Sequence, residues 1–179
     1  SFLNSYFESI SGFTSTGFTI FDNLRQIDES LILWRSTSQW IGGIYFLFSI
    51  LLLIDVFDKN LKQSFTEYLS LNFNEIFKQS MKIFIIYFSL TLLIFILLKI
   101  VNLRTFDALN LSLSIISSGG FLPVNNIDFL FPNDLSRVLL SFTMVLSFFS
   151  LFLIFNLIFL NKKKINFLSE DFNLLIYLL

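Results

Sequence analysis

Phe13-Thr14-Ser15-Thr16-Gly17-Phe18-Thr19 is a short polar stretch, carrying one glycine, in a chain that is otherwise strongly apolar. An amphipathic segment precedes it and, after a polar loop, a membrane-length apolar run follows. A second version, Ile116-Ser117-Ser118-Gly119-Gly120-Phe121-Leu122, stands 103 residues further on in the same kind of setting. At that offset Gly17 falls on Gly120, Phe18 on Phe121, Ser11 on Ser114 and Ser9 on Ser112, and Arg35 lies beside Arg137. The order half-length helix, polar tip, loop, full span recurs in both copies. Both copies run in the same direction and two membrane crossings separate them. The repeats are therefore read as parallel, related by an axis along the membrane normal.

Composition sets the class. The 179 residues are 55% hydrophobic and 14% charged, with a mean hydropathy of +0.76. A soluble domain carries about 25% charged residues, so a water-facing surface is hard to build from this chain. Twenty-six phenylalanines, against 5 tyrosines and 2 tryptophans, suit lipid-facing helices. The fold class read from this is all-α integral membrane. A net charge of −1 gives no basis for a nucleic-acid partner. With no cysteine and no histidine, disulfides, thiolate or imidazole metal sites, and Ser-His or Cys-His catalysis are excluded within the chain. Nothing in the pattern suggests an enzyme or a resident cofactor. Asp55 with Asp58 reads as a solvated turn ending a helix rather than a metal pair.

Read in order, residues 2 to 12 place Phe2, Leu3, Tyr6, Phe7 and Ile10 at helical spacing. Three turns span about 16 Å, which is half of a bilayer core. Gly12 weakens that helix. Asp22 to Ser30 is a polar loop. Leu31 to Ile54 is a first full span, entered through Trp34-Arg35 and Gln39-Trp40 as an interfacial aromatic pair. Asp55 to Ser80 is a solvated connector with some amphipathic helix, and Met81 to Val101 a second span. Phe106 to Ile116 is the second half-length helix, with Thr105 as its expected N-cap. Val138 to Leu160 is a third span, closed by Asn161-Lys162-Lys163-Lys164. Ser1 opens inside a patterned segment, and Leu174 to Leu179 starts an apolar run too short to span. Both ends are expected to be internal to a larger protein.

Orientation follows from the basic residues near the span ends. Lys59, Lys62, Lys78, Lys82 and Lys162 to Lys164 lie on one side; Arg25, Arg35, Lys99, Arg104 and Arg137 lie on the other, offset by six acidic residues. The lysine side is expected in the cytoplasm, so the tips dip in from the outside. A non-helical backbone at membrane depth is tolerated where protein buries it or where it lines water. A re-entrant helix directs its C-terminal partial charge at such a site, and the tip offers carbonyl oxygens in place of an ion's hydration shell. Gly17 and Gly120 supply the backbone freedom. The hydroxyls of Thr14, Ser15, Thr16, Ser117 and Ser118 can act as ligands or as braces. For either glycine alone, a helix C-cap or turn is the plainer reading; two in register after half-length helices favour the pore.

Two stretches carry a resemblance. Phe7-Glu8-Ser9-Ile10-Ser11-Gly12-Phe13-Thr14-Ser15-Thr16-Gly17, with Trp34-Arg35-Ser36-Thr37-Ser38-Gln39-Trp40-Ile41-Gly42-Gly43, resembles the first pore loop and following helix of the TrkH/KtrB potassium uptake proteins. Ile116-Ser117-Ser118-Gly119-Gly120-Phe121 resembles their second pore loop. The resemblance implies four repeats of outer helix, pore helix and inner helix around one ion path, of which this chain holds about half. Residues 1–56 would be the pore helix, filter loop and inner helix of repeat one, 57–80 a cytoplasmic connector, and 81–161 a complete repeat two. Residues 162–179 would open repeat three, with Ser169-Glu170-Asp171-Phe172 at the junction. It further implies potassium as substrate, a bacterial cytoplasmic (inner) membrane location among membrane lipid, and a homodimer regulated by a cytosolic nucleotide-binding subunit. The implied filter residues are Thr14, Ser15, Thr16, Gly17, Phe18, Ser117, Ser118, Gly119, Gly120 and Phe121. In plant relatives a serine at the first filter glycine goes with sodium; Gly17 is glycine here, which favours potassium. The sequence departs from the family at the bulky Ile44-Tyr45-Phe46-Leu47-Phe48, at Leu122-Pro123-Val124-Asn125 and at Ser147-Phe148-Phe149-Ser150.

Glu8, on the first half-length helix, is an expected filter support or ion contact. Arg35 is expected to snorkel or to pair with Asp28 or Glu29, with support of the filter beside Glu8 as its other reading, and Gly42-Gly43 to allow close helix packing. Other readings stay open: a transporter of sodium or another solute, whose discontinuous helices would present their N-termini, or a membrane scaffold without transport.

Overall fold

In a computed structural model the described residues, 2–57 and 73–159, are all-helical, with no strand among them. Five helices follow in order: α1 (Phe2–Phe13), α2 (Glu29–Phe57), α3 (Phe73–Ile100), α4 (Thr105–Ile116) and α5 (Asp134–Phe159). Single 3₁₀ turns, Leu24–Gln26 and Ile127–Phe129, interrupt the two polar loops. Helices α2, α3 and α5 are each roughly 40 Å long, whereas the 12 residues of α1 and of α4 reach about 18 Å. The long and short elements fall where the apolar periodicity puts them. The ends differ from the expected spans: α2 runs on to Phe57, and α3 is already helical at Phe73, inside the connector where some helix is expected. The remainder of the connector with Asp58, Lys59 and Lys62, the Lys162-Lys163-Lys164 cluster, the Ser169–Phe172 junction and the last apolar run lie outside the described residues.

Helix α2 packs against both short helices, while α3 packs against α4 and α5. The core forms where a stripe of α3, Ile83, Tyr87, Ile94 and Leu98, meets Ala108, Leu111 and Ile115 of α4. The i, i+4, i+11, i+15 spacing keeps those α3 residues on one face. Ile44 and Leu47 of α2, Leu140 of α5 and Phe131 of the second loop complete the cluster. Outside this core the burial pattern is inverted. On α1, Phe2, Leu3, Tyr6, Phe7 and Ile10 are exposed, and Glu8, Ser11 and Gly12 are buried. On α5, Leu135, Val138 and Phe142 are exposed, and Ser136 and Thr143 are buried. Apolar outside and polar inside suits a lipid solvent, not water. Among the described residues, Ser80–Ile100 is long and apolar enough to cross a membrane, with a mean hydropathy of 2.6.

Local chemistry sets the helix boundaries. Asn102, at φ 61°, terminates α3 in the left-handed region that asparagine tolerates. Lys99 Nζ then donates to the Leu103 carbonyl at 2.9 Å and to Thr105 Oγ1 at 3.2 Å. The expected Thr105 cap is corrected: Arg104 occupies the N-cap position with no side-chain cap bond, and Thr105 is the first helical residue. The Thr105 hydroxyl is instead turned toward the lysine that closes the preceding helix. Arg104 itself pairs with Glu29 at the exposed start of α2.

The chain crosses itself most tightly at Gly42. A Cβ there would overlap the Phe13 carbonyl oxygen and approach the Phe13 Cα at 3.2 Å, all backbone atoms that cannot rotate away. One residue on, a Cβ at Gly43 would stand 3.0 Å from Ser117 Cβ. Adjacent glycines thus let α2 pass between the C-terminal ends of α1 and α4, which bears out the close packing expected of this pair. Gly42→Ala is expected to lower stability by about 1–3 kcal/mol, the range for overpacking, read as a lowered unfolding midpoint in detergent.

Candidate functional site

The two polar tips are conformational copies. Ser15 and Ser118 both sit at φ 53°, and Gly17 and Gly120 at φ 74° and 77°. In the first tip, Thr16 N–H bonds Ser11 O at 3.1 Å and Ser15 N–H bonds Gly12 O at 3.0 Å. In the second, Gly119 N–H bonds Ser114 O at 2.8 Å and Ser118 N–H bonds Ile115 O at 3.0 Å. These paired bonds are the Schellman arrangement, with a serine at the left-handed position where glycine is usual. Gly17 and Gly120 are therefore not the helix caps. They lie two residues beyond, at a second left-handed turn that redirects the chain.

The tips also meet. A Cβ on Gly17 would overlap the Gly119 carbonyl oxygen and stand 3.2 Å from Gly120 Cα. Gly120 faces more room, with Gly17 Cα at 3.8 Å from its own built Cβ. Above them lies a cleft of about 160 Å³, lined among others by Gly17, Thr19, Asp22, Gly120 and Asn125. Asn125 ties together the two loops that follow the tips: its Oδ1 accepts from Leu24 N–H at 2.7 Å, and its Nδ2 donates to Asn23 Oδ1 at 3.3 Å. The oxygens available at the tips are hydroxyls and backbone carbonyls, which are hard, neutral ligands suited to an alkali cation. Among the described residues no group of three or more acidic side chains could hold a metal ion.

Most of the hydroxyls brace the tips. Thr14 Oγ1 donates to Ile10 O at 2.7 Å, Ser117 Oγ to Leu113 O at 3.0 Å, and Thr16 Oγ1 approaches Ser11 O at 3.3 Å. Ser11 Oγ in turn donates to Phe18 O at 2.6 Å. The aromatic residues after each glycine diverge: Phe18 is 70% exposed and Phe121 is 2% exposed. Phe121 is buried because Arg35 covers it.

Glu8 and Arg35 form the polar centre of the first tip. They are 3% and 1% exposed, and Arg35 Nε donates to Glu8 Oε2 at 3.0 Å. Glu8 Oε1 accepts from Thr19 Oγ1 at 2.6 Å and from Ile20 N–H at 2.8 Å, so the carboxylate anchors the chain leaving the tip. The Arg35 guanidinium stacks on the Phe121 ring, 4.1 Å from its centroid. Its Nη1 is buried with no hydrogen-bond partner. The expectation that Arg35 snorkels or pairs with Asp28 or Glu29 is overturned. The side chain points inward, because the short first helix brings Glu8 beside it and Glu29 is taken by Arg104. A cation here is neutralised by its partner and its face is covered by an aromatic ring.

No protein-family model matches the chain. An uncharacterized cation transporter of Methanocaldococcus jannaschii is 32% identical over 145 residues, covering 78% of this chain and 30% of that protein. The Trk system potassium uptake protein TrkI of Halomonas elongata is 46% identical over 44 residues, 25% of this chain and 9% of that protein. Both similarities point to cation transport. They support a cation-transporter family and, with the apolar helix and inverted burial, a membrane protein. The chain spans 30% of the length of the first relative and 9% of the second.

The structure brings to the tips one residue, Gln39, that the local pattern does not assign there. Gln39, grouped with Trp40 as part of an interfacial pair, is 0% exposed and sits behind the second tip. Trp40 also turns inward: its Nε1 donates to Thr91 Oγ1 at 3.0 Å and its ring packs on Tyr87 at 5.4 Å. The polar run Arg35-Ser36-Thr37-Ser38-Gln39 inside an otherwise apolar span was the available signal for Gln39. Its partners lie about 80 residues away, beyond the reach of any local pattern.

Proposed function

We propose that this chain contributes part of a potassium uptake pathway, in which Thr14–Phe18 and Ser117–Phe121 form two of four walls of a carbonyl-lined filter. The observation that carries the reading is the pair of tips with matching backbone angles, in contact at Gly17 and Gly119-Gly120. Two re-entrant segments of matching backbone angle at one point supply oxygen ligands from more than one direction, which a desolvated monovalent cation requires. That C-terminal ends of α1 and α4 lead to the contact supports a cation over an anion, since helix C-termini carry partial negative charge. The other walls would come from further repeats of the same polypeptide, in the cytoplasmic membrane, with the tips entering from the outside. A homodimeric assembly and a cytosolic nucleotide-binding regulatory subunit belong to the same proposal and rest on the TrkH/KtrB resemblance.

The test is potassium-limited growth of an uptake-deficient host expressing the full-length protein. Wild type is expected to restore growth, and a Gly17→Asp, Gly120→Asp double variant to lose it. Normal rescue by the double variant would overturn the filter assignment. The sodium alternative is separated by the same host grown with each cation limiting, since a sodium pathway would leave potassium-limited growth unrescued by wild type.

A further inference from the structure

We propose that Gln39 is a positioning residue that sets cation discrimination, by withdrawing the Gly119 carbonyl from the ion path and locking the two tips in one arrangement. The inference rests on the filter reading above and names a residue that neither tip contains. Four contacts carry it. Gln39 Nε2 donates to Gly119 O at 2.5 Å, and Gln39 Oε1 accepts from Ser114 Oγ at 2.8 Å and from Phe121 N–H at 3.4 Å. The Gln39 backbone carbonyl accepts from Ser15 Oγ of the other tip at 3.4 Å. One residue of α2 therefore holds the second tip by its side chain and the first by its backbone.

Gly119 lies flat against the Gln39 amide, because a Cβ there would overlap the amide group, with Nε2 at 2.7 Å. Its carbonyl oxygen is wedged between that amide and Gly17. It is a structural acceptor, not an ion ligand, although its place in the tip suggests the opposite. The first tip has no such clamp from an amide; the Glu8 carboxylate and the Ser11 hydroxyl hold it instead. The two walls are thus non-equivalent, one fixed by a charged group and one by a neutral amide.

Discrimination between alkali cations in a carbonyl site depends on how many dipoles face the ion and how freely they move. Freeing Gly119 adds a mobile dipole beside Gly17 and lets the second tip close on a smaller ion. Buried polar networks of this kind also specify a single local conformation. The plainer role for Gln39, a satisfied core amide with no influence on the ion, predicts lost stability and unchanged discrimination.

The experiment measures potassium and sodium uptake by the full-length protein in reconstituted vesicles, for wild type, Gln39→Met, Gln39→Glu and Thr91→Val. Gln39→Met keeps length and loses every side-chain bond. Gln39→Glu keeps the acceptors for Ser114 and Phe121 and replaces the donor to Gly119, so it carries the test if the methionine variant is not recovered from membranes. Thr91→Val removes the part-buried bond from Trp40 of α2 to α3, which touches neither tip, and serves as the stability control. The expected result is a potassium-over-sodium ratio of KM-limited rates lowered roughly fivefold to tenfold in the Gln39 variants, the scale of one hydrogen bond. Maximal potassium rate should stay near wild type, and Thr91→Val should leave the ratio unchanged. An unchanged ratio in both Gln39 variants overturns the proposal while the filter reading stands. A wild-type protein that moves neither cation overturns both.

Discussion

Replacing Glu8 with alanine is expected to destabilise the full-length protein by about 3–5 kcal/mol, the range for removing one partner of a buried ion pair. The large value follows from what remains. Arg35 keeps its charge inside the protein, already has one nitrogen without a partner, and loses its counter-ion. Thr19 and the Ile20 amide lose their acceptor in the same step, which frees the chain just beyond the first tip. The double variant Glu8→Ala, Arg35→Met is expected to recover much of the loss, because a neutral side chain of similar length does not need pairing. Thermal unfolding in detergent of wild type, Glu8→Ala, Arg35→Met and the double variant measures this cycle. A single-variant loss below about 1 kcal/mol, the range of solvated pairs, would contradict the buried geometry. Transport should fall with stability in Glu8→Ala and recover only in part in the double variant, since the anchor at Thr19 and Ile20 stays absent.

The second large effect separates two glycines that a sequence repeat makes look equivalent. Gly17→Ala is expected to reduce potassium uptake by roughly a hundredfold, whereas Gly120→Ala should cost about tenfold or less. Both residues have φ in the left-handed region, so both substitutions carry a backbone strain of about 1–2 kcal/mol. Only Gly17 adds a clash with backbone: its Cβ would occupy the space of the Gly119 carbonyl. That oxygen is held from behind by Gln39 and cannot retreat without breaking a buried bond. At Gly120 the next atom stands at an ordinary contact distance of 3.8 Å. Uptake rates of the two single variants, normalised to protein in the membrane, decide it. Equal losses would mean that strain alone governs and that the tip contact contributes little.

Both predictions turn on partners far apart in the chain, and this marks the division between what could and could not be read in advance. The five helices, the half-length pair and the register of the two tips were legible, because they rest on the spacing of apolar residues and on serine and glycine at fixed offsets. The tightness of the Gly42-Gly43 crossing was legible too, since small residues in an apolar span have few other uses. Local sequence offers Arg35 the membrane surface or its nearest carboxylates, Asp28 and Glu29, yet its partner is 27 residues away. Thr105 had the right residue type for a cap, but the lysine that closes α3 competes for its hydroxyl. The pattern of Gln39-Trp40 points to the membrane surface, and both side chains face inward.

The sequence by itself determined the solvent, the element lengths and the two glycine tips, because composition and periodicity act within a few turns of chain. Tertiary structure alone decided which polar groups become buried together. Placing α2 between the ends of α1 and α4 brings Glu8, Arg35, Gln39 and Gly119 within hydrogen-bonding distance of their partners. Inside an apolar body each such group must find a partner at whatever sequence distance the packing offers, and that choice is not written in any local pattern.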